Sequence, residues 1–520
     1  MRDGNKMRIP DSLISNSPQK RWMSVQRFGS YFLTRSVQFY DERPRSVPHP
    51  PFRLMTKPSD QNRPLLWLVA LSFFMQTLDA TIVNTALPTM ATSLNEHPLR
   101  MHMVIIAYTL SVALLMPASG WLADRFGTRR VFVAAVVLFT SGSLLCAQAQ
   151  TLTQLILARI VQGIGGAMLM PVGRLAVLRV FPREKFLQAM SFVTIPGLIG
   201  PLLGPTLGGL LVEIASWHWI FLINLPAGFI AGLLGMRLMP DFRASSLPPF
   251  DFPGYALLAF TMVAITVALD SIGGLGLQRA EVAILIFSGL ASLAAYWLHA
   301  ARKEAARTHA PPLFPLSLFR TPTFLIGILG NFFARIGNGA MPFLLPLMLQ
   351  IRLDYAPFKA GLMMIPVAVA GISAKALVGP LVARLGYRWV LVANTFLLGI
   401  MICAFGLISP TTPFWWLIIQ LLFFGAINSL QFSVMNSVTL KDLQPQQASS
   451  GNSLLSMVMQ LSMSLGVSTA GALLAAFSAA TGNGNDRAFT IAFICMGTIT
   501  LASSWIFLRL RKDGADPVSQ

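Results

Sequence analysis

The chain has 520 residues, of which 54% are hydrophobic and 11% are charged, and its mean hydropathy is +0.63. Soluble domains carry about 25% charged residues, so this composition excludes an ordinary soluble protein and indicates an integral membrane protein. The net charge of +19 is compatible with a nucleic-acid partner. The positions of the basic residues, described below, argue against that partner.

Apolar segments of roughly 20 residues recur along the chain, and each is long enough to cross the hydrocarbon core of a bilayer as a helix. The sequence therefore predicts an all-α membrane protein with fourteen transmembrane helices. Their predicted positions are 65–88, 103–122, 131–149, 152–172, 189–212, 217–238, 254–270, 281–299, 323–349, 360–380, 389–409, 414–435, 452–478 and 488–508. All three cysteines, Cys146, Cys403 and Cys495, fall within these spans, so neither a disulfide framework nor a cysteine metal site is indicated.

Lys and Arg residues are distributed unevenly between the two sets of loops. If residue 1 lies in the cytoplasm, 19 of the 39 Lys and Arg fall in the cytoplasmic loops and the C-terminal tail, and only five fall in the opposite loops. This is the positive-inside bias of membrane proteins, so we expect both termini in the cytoplasm. The bias relates the charge to membrane topology and anionic lipids, and no nucleic-acid partner is expected.

Residues 1–64 form a basic N-terminal extension that is rich in Arg, Ser and Pro. They contain no uninterrupted apolar core, so they do not resemble a secretory signal. An Arg-rich presequence and a disordered basic arm are both open interpretations. We favour a third, in which the real start is Met55, because MTKPSDQNRPLLW leads directly into the first span.

An internal repeat is visible in the sequence. A shift of 259 residues aligns GWLADRFGTRRVFV at 120–133 with GPLVARLGYRWVLV at 379–392. The same shift places Asp79 on Asn338. One offset that aligns two separate segments is hard to assign to chance, so the repeat predicts two related halves.

The predicted halves each contain six helices, at 65–240 and 323–508. Two inserted helices and a linker occupy 241–322, and a tail occupies 509–520. Two related six-helix halves imply a carrier, with a central cavity at their interface that opens to one side at a time.

The charged stretch GWLADRFGTRR joins the second and third spans. Its glycines allow a tight turn, and Asp124 can accept hydrogen bonds from Arg side chains or from exposed amides at a helix N-terminus. Ala383 replaces Asp124 in the second copy, so a latch that depends on an Asp exists only in the first half. The residues assigned to this loop latch are Gly120, Asp124, Arg125, Gly127, Arg129 and Arg130.

Two ionisable residues lie inside spans of the first half. An unpaired Asp79 would cost several kcal/mol or stay protonated, and such an acid can load and release a proton as its cavity changes sides. A structural Asp bonded to neighbouring Thr and Asn groups is the alternative. Arg159 cannot shed its proton, so it needs an anion or carbonyl partners unless it snorkels to the membrane entrance.

The second half holds two cations inside its spans, Arg335 and Lys375. If both face the cavity, they favour an anionic or zwitterionic substrate over lipophilic cations, although pairing with an acid or snorkelling is equally open. Together with them, we assign Asn84, Gln162 and Asn338 to a possible substrate cavity.

Several other side chains have more than one interpretation. Some apolar residues could form an adaptable binding wall, although such residues more often face lipid or other helices, namely Phe73, Phe74, Met75, Phe332 and Phe333. Two acids at span ends favour a solvated role, Asp270 and Glu213. Three histidines are interpreted as loop or interface residues, His102, His218 and His299. No histidine pair has metal-ligand spacing, so no metal site is predicted.

The fifth span contains glycines at a spacing of four residues, which places them on one helix face and permits close helix packing. Its prolines remove backbone donors and can kink the helix. The residues of this motif are Gly200, Pro201, Gly204, Pro205, Gly208 and Gly209. Spacing alone does not distinguish a general packing surface from a special seal.

These motifs together resemble those of the major facilitator superfamily. GWLADRFGTRR is similar to the loop signature of that superfamily, and LDATIVNTALP at 78–88 is similar to the first-helix motif of its fourteen-span drug:proton antiporter branch. LARIVQGIGGAMLMPVGR at 157–174 resembles the fourth-helix motif with its membrane Arg, and GLIGPLLGPTLGG at 197–209 resembles the antiporter motif of the fifth helix. With WHWIFLINLP at 217–226, the resemblance covers nearly everything from residue 55 onward.

The resemblance implies that Arg159 lies near Asp79 and tunes its protonation, and that the fifth-helix motif controls sealing between the halves. It implies a proton-coupled antiporter of the bacterial inner membrane that exports drugs or small amphipathic metabolites. The proton gradient would supply the energy, with no cofactor. The expected partners are a small-molecule substrate, protons and membrane lipids. Neither the substrate nor the oligomeric state is indicated.

Other classes of function are less compatible with the sequence. It contains no G-x-x-x-x-G-K-[ST] element, which disfavours ATP-driven pumping. It contains no G-x-S-x-G elbow or zinc-protease helix, which disfavours a membrane enzyme. A proton-coupled importer would use the same fold, and a non-transporting receptor or scaffold would tolerate loss of Asp79 and Arg159, so both alternatives stay open.

Overall fold

The computed structural model describes residues 63–244, 247–271, 278–306, 311–444, 447–481 and 485–510. Most of the predicted N-terminal extension and most of the predicted tail lie outside the described residues. The described chain forms helices joined by short connections. A lipid-exposed backbone must satisfy its polar groups within its own segment, and for a single span only a helix does so.

The helices in chain order are α1 (Arg63–Ile82), α2 (Leu87–Ser93), α3 (His102–Phe126), α4 (Thr128–Ala147), α5 (Leu152–Val180), α6 (Arg183–Ile214), α7 (Trp219–Leu222), α8 (Asn224–Leu238), α9 (Phe252–Asp270), α10 (Arg279–Ala305), α11 (Pro322–Gly339), α12 (Met341–Ile351), α13 (Pro357–Leu362), α14 (Ile365–Ala374), α15 (Val378–Phe405), α16 (Phe414–Leu440), α17 (Ala448–Thr481) and α18 (Asn485–Phe507). Short 3-10 turns lie at Val83–Thr85, Pro98–Met101, Leu316–Arg320 and Lys375–Leu377.

Thirteen helical segments within the described part of the chain are long and apolar enough to cross a membrane. One of them, Pro357–Phe405, has 49 residues, or roughly 74 Å of helix at 1.5 Å per residue, more than twice the ~30 Å hydrocarbon core. It contains the predicted span 360–380 and most of the predicted span 389–409, which are separated by a break at Gly386, where φ is 72°. The thirteen segments therefore accommodate all the predicted crossings and confirm the predicted fold class.

Backbone conformation repeats along with the sequence. Among the described residues, those with φ in the left-handed region are Asn95 at 54°, Gly127 at 98°, Asp354 at 51° and Gly386 at 72°. Asp354 and Gly386 follow Asn95 and Gly127 by 259 residues, the offset that aligns the two sequence copies. Each copy therefore turns its backbone at the same two points, and glycine suits the second point because other residues rarely adopt that conformation.

The two ends of the bundle differ in how the halves meet. We call the end that carries residues 120–130 the basic end and the opposite end the far end. At the far end, Ile82 and Leu87 of the first half share one buried apolar cluster with Phe343 and Leu347 of α12. The halves are therefore packed against each other at the far end.

The inserted helices α9 and α10 lie beside the seam at which α3 of the first half meets α17 of the second, because α9 packs against both. Asp251 is the N-cap of α9, and its carboxylate accepts hydrogen bonds from Gly254 N at 3.3 Å, His299 Nε2 and Lys303 Nζ both at 2.8 Å, and Leu313 N at 3.0 Å. Burial raises the pKa of Asp251, but the bonds from Lys303, His299 and Leu313 outweigh it and hold the pKa below its ordinary value. One carboxylate thus fixes α9, α10 and the linker together.

Candidate transport site

Asp79 is fully buried in α1, and three donors surround its carboxylate. Arg159 Nη1 donates to Oδ2 at 2.7 Å, while Gln162 Nε2 and Asn224 Nδ2 donate to Oδ1 at 2.8 and 3.0 Å. Arg159 and Gln162 share one face of α5 because they lie three residues apart. Asp79 is therefore an ion-paired acceptor of charge-assisted hydrogen bonds and not an unpaired acid.

A buried hydroxyl fixes the two amides of this network. Ser143 Oγ accepts from Gln162 Nε2 at 3.2 Å and from Asn224 Nδ2 at 3.1 Å, and it donates to Phe221 O at 2.9 Å. Sequence reasoning did not select Ser143 or Asn224. The available signal was that Asn224 lies within WHWIFLINLP, one of the segments that carry the family resemblance.

Arg159 is only 1% exposed, so it does not snorkel to the membrane surface. Nη1 also donates to Gln162 Oε1 at 2.7 Å, and Nε donates to Val104 O at 3.3 Å. The guanidinium carbon lies 4.3 Å from the centroid of the Tyr108 ring, a cation–π distance. These contacts place both members of the ion pair inside the first half.

The Asp79 network links proton binding to the position of Arg159. With Asp79 ionised, the ion pair has no net charge. Protonation of Asp79 would leave a buried guanidinium without its counter-ion, which costs several kcal/mol. Arg159 would then have to reach another anion or water, because it cannot lose its own proton.

A separate cavity of about 430 Å³ lies between the two halves. Asn84 and Pro205 line it from the first half, and Arg335, Asn338 and Lys375 line it from the second. No Asp or Glu is among its described lining residues. The structure thus brings together four of the five residues assigned to the cavity from sequence and makes the described lining positively charged.

Other assignments to the cavity are not met. Gln162 lies elsewhere, since its fully buried amide is engaged by Asp79. Of the two interpretations of the apolar residues, Phe73 and Met75 fit packing against other helices, because both are buried in the core of the first half. The Met and Phe residues that line the cavity are instead Met341, Met364, Met463, Phe424 and Phe432. Helical spacing did not reveal which face of each helix points inward.

The second half places two unsatisfied polar atoms in the cavity wall. Arg335 Nη2 and Asn338 Oδ1 are buried and have no hydrogen-bond partner among the described residues. Arg335 Nε donates to Asn331 Oδ1 at 3.1 Å, its guanidinium lies 4.6 Å from the Phe432 centroid, and Asn338 Nδ2 donates to Asn428 Oδ1 at 2.5 Å. Buried polar atoms of this kind normally require partners, so the wall offers a charged donor and a neutral acceptor to a ligand.

Exposure along the cavity shows where it opens. Pro205 and Leu345 in the part nearer the far end are buried. Pro201, Ile372 and Lys375 in the part nearer the basic end are exposed. The cavity is therefore closed at the far end and accessible from the basic end.

The loop signature at 120–130 makes contacts within the first half. Asp124 forms an ion pair with Arg179 of α5. Arg129 Nε donates to Met239 O at 2.5 Å, and a Cβ atom on Gly127 would overlap Asp241. The loop is thus held to α5 and to the segment after α8, and its role as a latch between halves stays a prediction.

The other members of the loop are more exposed. Gly120 has no neighbouring atom within 4 Å of an added Cβ, and the side chains of Arg125 and Arg130 are exposed. In the second copy an added Cβ on Gly386 also meets nothing within 4 Å, whereas Gly127 is packed. The two copies share a backbone turn but differ in what surrounds it.

The glycines of the fifth-span motif face α1. A Cβ atom on Gly200, Gly204 or Gly208 would overlap atoms of α1 and its following turn, in order Thr77, Thr81 and Ile82. Small residues at four-residue intervals allow this close approach. The motif therefore packs α6 onto α1 within the first half.

Neighbouring residues of the same motif contact the second half. A Cβ atom on Gly209 would overlap the carbonyl of Pro357, and one on Gly361 would overlap the carbonyl of Pro205. Thr206 Oγ1 donates to Gly361 O at 3.2 Å. The motif therefore contributes both to packing within one half and to the closed contact between halves.

Two acids at span ends are engaged in contacts. Glu213 Oε1 accepts from Phe358 N of α13 at 2.9 Å, so this exposed carboxylate bridges the halves. Asp270 is 6% exposed and its Oδ1 lies 2.5 Å from Nε2 of the buried His102. The expected solvated role of Asp270 is wrong, because α3 and α17 cover the end of α9.

The conserved profile of the Major Facilitator Superfamily matches residues 69–467. The chain belongs to this superfamily. The transporter is 51% identical to Putative multidrug resistance protein MdtD of Pectobacterium atrosepticum, over 88% of this chain and 98% of that protein. It is 52% identical to the protein of the same name from Yersinia enterocolitica, over 87% of this chain and 96% of that protein.

Solved structures of other transporters share the fold. A peptide transporter POT in complex with sulfate gives a TM-score of 0.63 at 17% identity, over 85% of this chain and 93% of that one. A D-xylose-proton symporter gives 0.62 at 15% identity, over 86% and 97%. The chain is therefore a multi-pass membrane transporter of small molecules and not an enzyme.

Proposed function

We propose that this transporter is a proton-coupled exporter of the bacterial inner membrane. The buried Asp79–Arg159 pair carries the proposal, because it contains an acid whose protonation must be accompanied by movement of a permanent cation. A carrier that exchanges a proton for a substrate needs such a link between protonation and conformation. The names of the bacterial relatives, which refer to multidrug resistance, support outward transport.

Topology supports the direction. The positive-inside bias assigns the basic end and both termini to the cytoplasm. The cavity is open at the basic end and closed at the far end, so in this conformation it would load from the cytoplasm. Export then requires closure of the basic end and opening of the far end toward the periplasm.

Helix α1 connects the proton site with the substrate cavity. Asp79 lies in its buried network, whereas Thr81 and the following Asn84 line the cavity. Thr81 also packs against Gly204 of α6. A movement of Arg159 away from Asp79 would therefore reach the cavity through α1 and the fifth-helix motif.

The cavity favours an amphipathic substrate with an anionic or zwitterionic group. Arg335 and Lys375 supply positive charge, and no described lining residue supplies negative charge. The free Asn338 Oδ1 can accept a hydrogen bond from the same polar group. The remaining Met, Phe, Leu and Pro lining suits an apolar body.

The test is substrate-induced proton movement in everted membrane vesicles. The panel pairs compounds that share an apolar body and carry either a carboxylate, a zwitterionic group or a quaternary ammonium. We expect anionic or zwitterionic members to release protons from vesicles with wild-type protein. Asp79→Asn should abolish the response. The control Glu96→Gln, which changes a half-buried acid paired with Arg100 outside the Asp79 network, should retain it.

Two results would contradict the proposal. Equal proton movement with Asp79→Asn would remove Asp79 from the coupling. Responses confined to the quaternary ammonium compounds would overturn the substrate class while leaving proton-coupled export intact.

A further inference from the structure

A second buried acid–base pair lies outside the site described above. His102, the first residue of α3, is 3% exposed, and Asp270, the last residue of α9, is 6% exposed. His102 Nε2 lies 2.5 Å from Asp270 Oδ1, and His102 Nδ1 lies 2.5 Å from Leu99 O. The pair joins the first half to an inserted helix at the far end.

The geometry determines how many protons this pair holds. A backbone carbonyl only accepts, so Nδ1 must carry a proton to bond to Leu99 O. The contact between Nε2 and Asp270 also needs a proton, which belongs either to an imidazolium or to a carboxylic acid. Without it, a lone pair on Nε2 would face the lone pairs of a buried carboxylate. The closed contact therefore contains one more proton than a neutral imidazole beside a carboxylate.

We propose that His102 and Asp270 form a second proton-binding site, which is occupied when the far end is closed and emptied when it opens. The bound ligand is a single proton shared between Nε2 and Oδ1. The site is separate from Asp79, and it does not depend on which substrate is transported.

The far-end closure covers this pair directly. An added Cβ on Gly471 of α17 would lie 2.8 Å from His102 ring atoms. The imidazole ring therefore packs directly against the second half. The His102 ring centroid is also 6.1 Å from that of Phe343 in α12. Separation of the halves at the far end must uncover the imidazole and admit water, which removes the requirement for the shared proton.

Few other charges act on the pair. Helices α12 and α17 contain no ionisable side chain, and besides Asp270 the only one in α9 is Tyr255, which lies in the first turn at the opposite end of that helix. In the turn before α3, Arg100 pairs with the half-buried Glu96 at 2.7 Å, and the remaining titratable group, His97, is exposed. The two partners therefore set the proton occupancy chiefly through each other and through exposure to water.

The position of the pair also connects it with the first site. Val104, two residues after His102 on α3, accepts the hydrogen bond from Arg159 Nε at 3.3 Å. A displacement of the start of α3 would thus affect both buried acids. Because closing the far end binds a proton, low pH should favour the closed far end and high pH the open one.

The experiment measures the opening of the far end in the full-length protein in nanodiscs. Spin labels replace Ala215 and Ala356, two exposed residues on opposite halves, in a background without the native cysteines. Distances are recorded from about pH 6 to pH 9, a range that includes imidazole titration. In wild type we expect the ratio of open to closed molecules to rise with pH, by at most about tenfold per pH unit for one linked proton.

Two variants identify the responsible group. Asp270→Asn and His102→Gln should each remove the pH response. Glu213→Gln serves as the matched control, because this carboxylate also bridges the halves at the far end, and it should keep the response. The proposal fails if wild type shows no response, if the response survives in both pair variants, or if it is lost only in Glu213→Gln. None of these outcomes depends on transport, so failure here leaves the proposed function testable by itself.

Discussion

Asp79 and Asn338 occupy the same position in the two sequence copies, but their surroundings differ. Asp79 is fully buried and has three donors, whereas Asn338 lines the cavity with a buried oxygen that has no described partner. The two copies thus differ by one substitution at this position, which gives an ion-paired acid in the first half and a cavity-lining amide in the second. In the proposed cycle, the first half supplies the proton chemistry and the second half supplies the polar substrate contacts.

Asn224→Ala tests the donor set of Asp79. The change removes the hydrogen bond from Asn224 to Oδ1 and leaves the bond from Gln162 in place. The ionised form of the carboxylate therefore loses about 1.5 kcal/mol of stabilisation. We expect the pH profile of transport in vesicles to move up by about one pH unit. Glu96→Gln is the control, because this acid pairs with Arg100 and lies outside the Asp79 network; an unmoved profile in Asn224→Ala would contradict this role.

At the scale of the helix, α6 uses successive residues for two purposes. Gly208 meets Ile82 within the first half, and Gly209 meets Pro357 of the second half. The helix therefore belongs to the stable interior of one half while one edge of it forms part of the movable contact between halves. Adjacent glycines should then respond differently to the same substitution.

Gly208→Ala should destabilise the protein by about 1–3 kcal/mol because the added methyl group overpacks a fixed helix contact. The measurement is thermal unfolding in detergent. Gly209→Ala should leave the unfolding temperature nearly unchanged and shift the Ala215–Ala356 distance toward the open far end. Gly197→Ala is the control on the same helix, since the nearest atom to its added Cβ is 3.6 Å away. Identical effects of the first two variants would contradict this division of roles.

For the whole molecule, the inserted helices make the two seams between the halves unequal. Helix α9 lies against α3 and α17 at one seam, while α6 meets α13 at the other. Carboxylates hold both ends of α9, Asp251 at its start and Asp270 at its end. The inserted pair is therefore anchored to the carrier core at the first seam.

Asp251→Asn should loosen this anchor. At neutral pH we expect the free energy of unfolding to fall by about 1–3 kcal/mol. The variant side chain keeps the volume of Asp251 but loses the charge-assisted hydrogen bonds from Lys303 and His299. The pKa of Asp251 is lowered in the folded protein, so its stabilising contribution is complete above about pH 4 and is lost as the pH falls through the lowered pKa. Thermal unfolding across this range should show the two curves converging in acid.

Asp241→Asn is the matched control for that experiment. Asp241 pairs with Arg243 at 3.3 Å and both residues are solvent-exposed, a type of ion pair that contributes little to stability. We expect its unfolding curve to follow wild type at every pH. A neutral-pH loss equal to that of Asp251→Asn would indicate a general charge effect and not an anchor.

The amino-acid sequence by itself determined the membrane class, the positions of the crossings and the two-fold repeat. These features depend on local apolar length and on a backbone that must bond within its own segment in lipid. The same local logic marked Asp79, Arg159, Arg335 and Lys375 as unusual, since a charge within an apolar span is costly wherever its partner lies.

Only the tertiary structure decided which of these residues meet. Asp79 and Arg159 are 80 residues apart in the chain, and His102 and Asp270 are 168 apart. Such contacts depend on how each helix is rotated and packed, which hydrophobicity does not encode when a helix is apolar on every face. For this reason Gln162 was assigned to the cavity but lies in the Asp79 network, and Asp270 was expected in solvent but is buried beside His102.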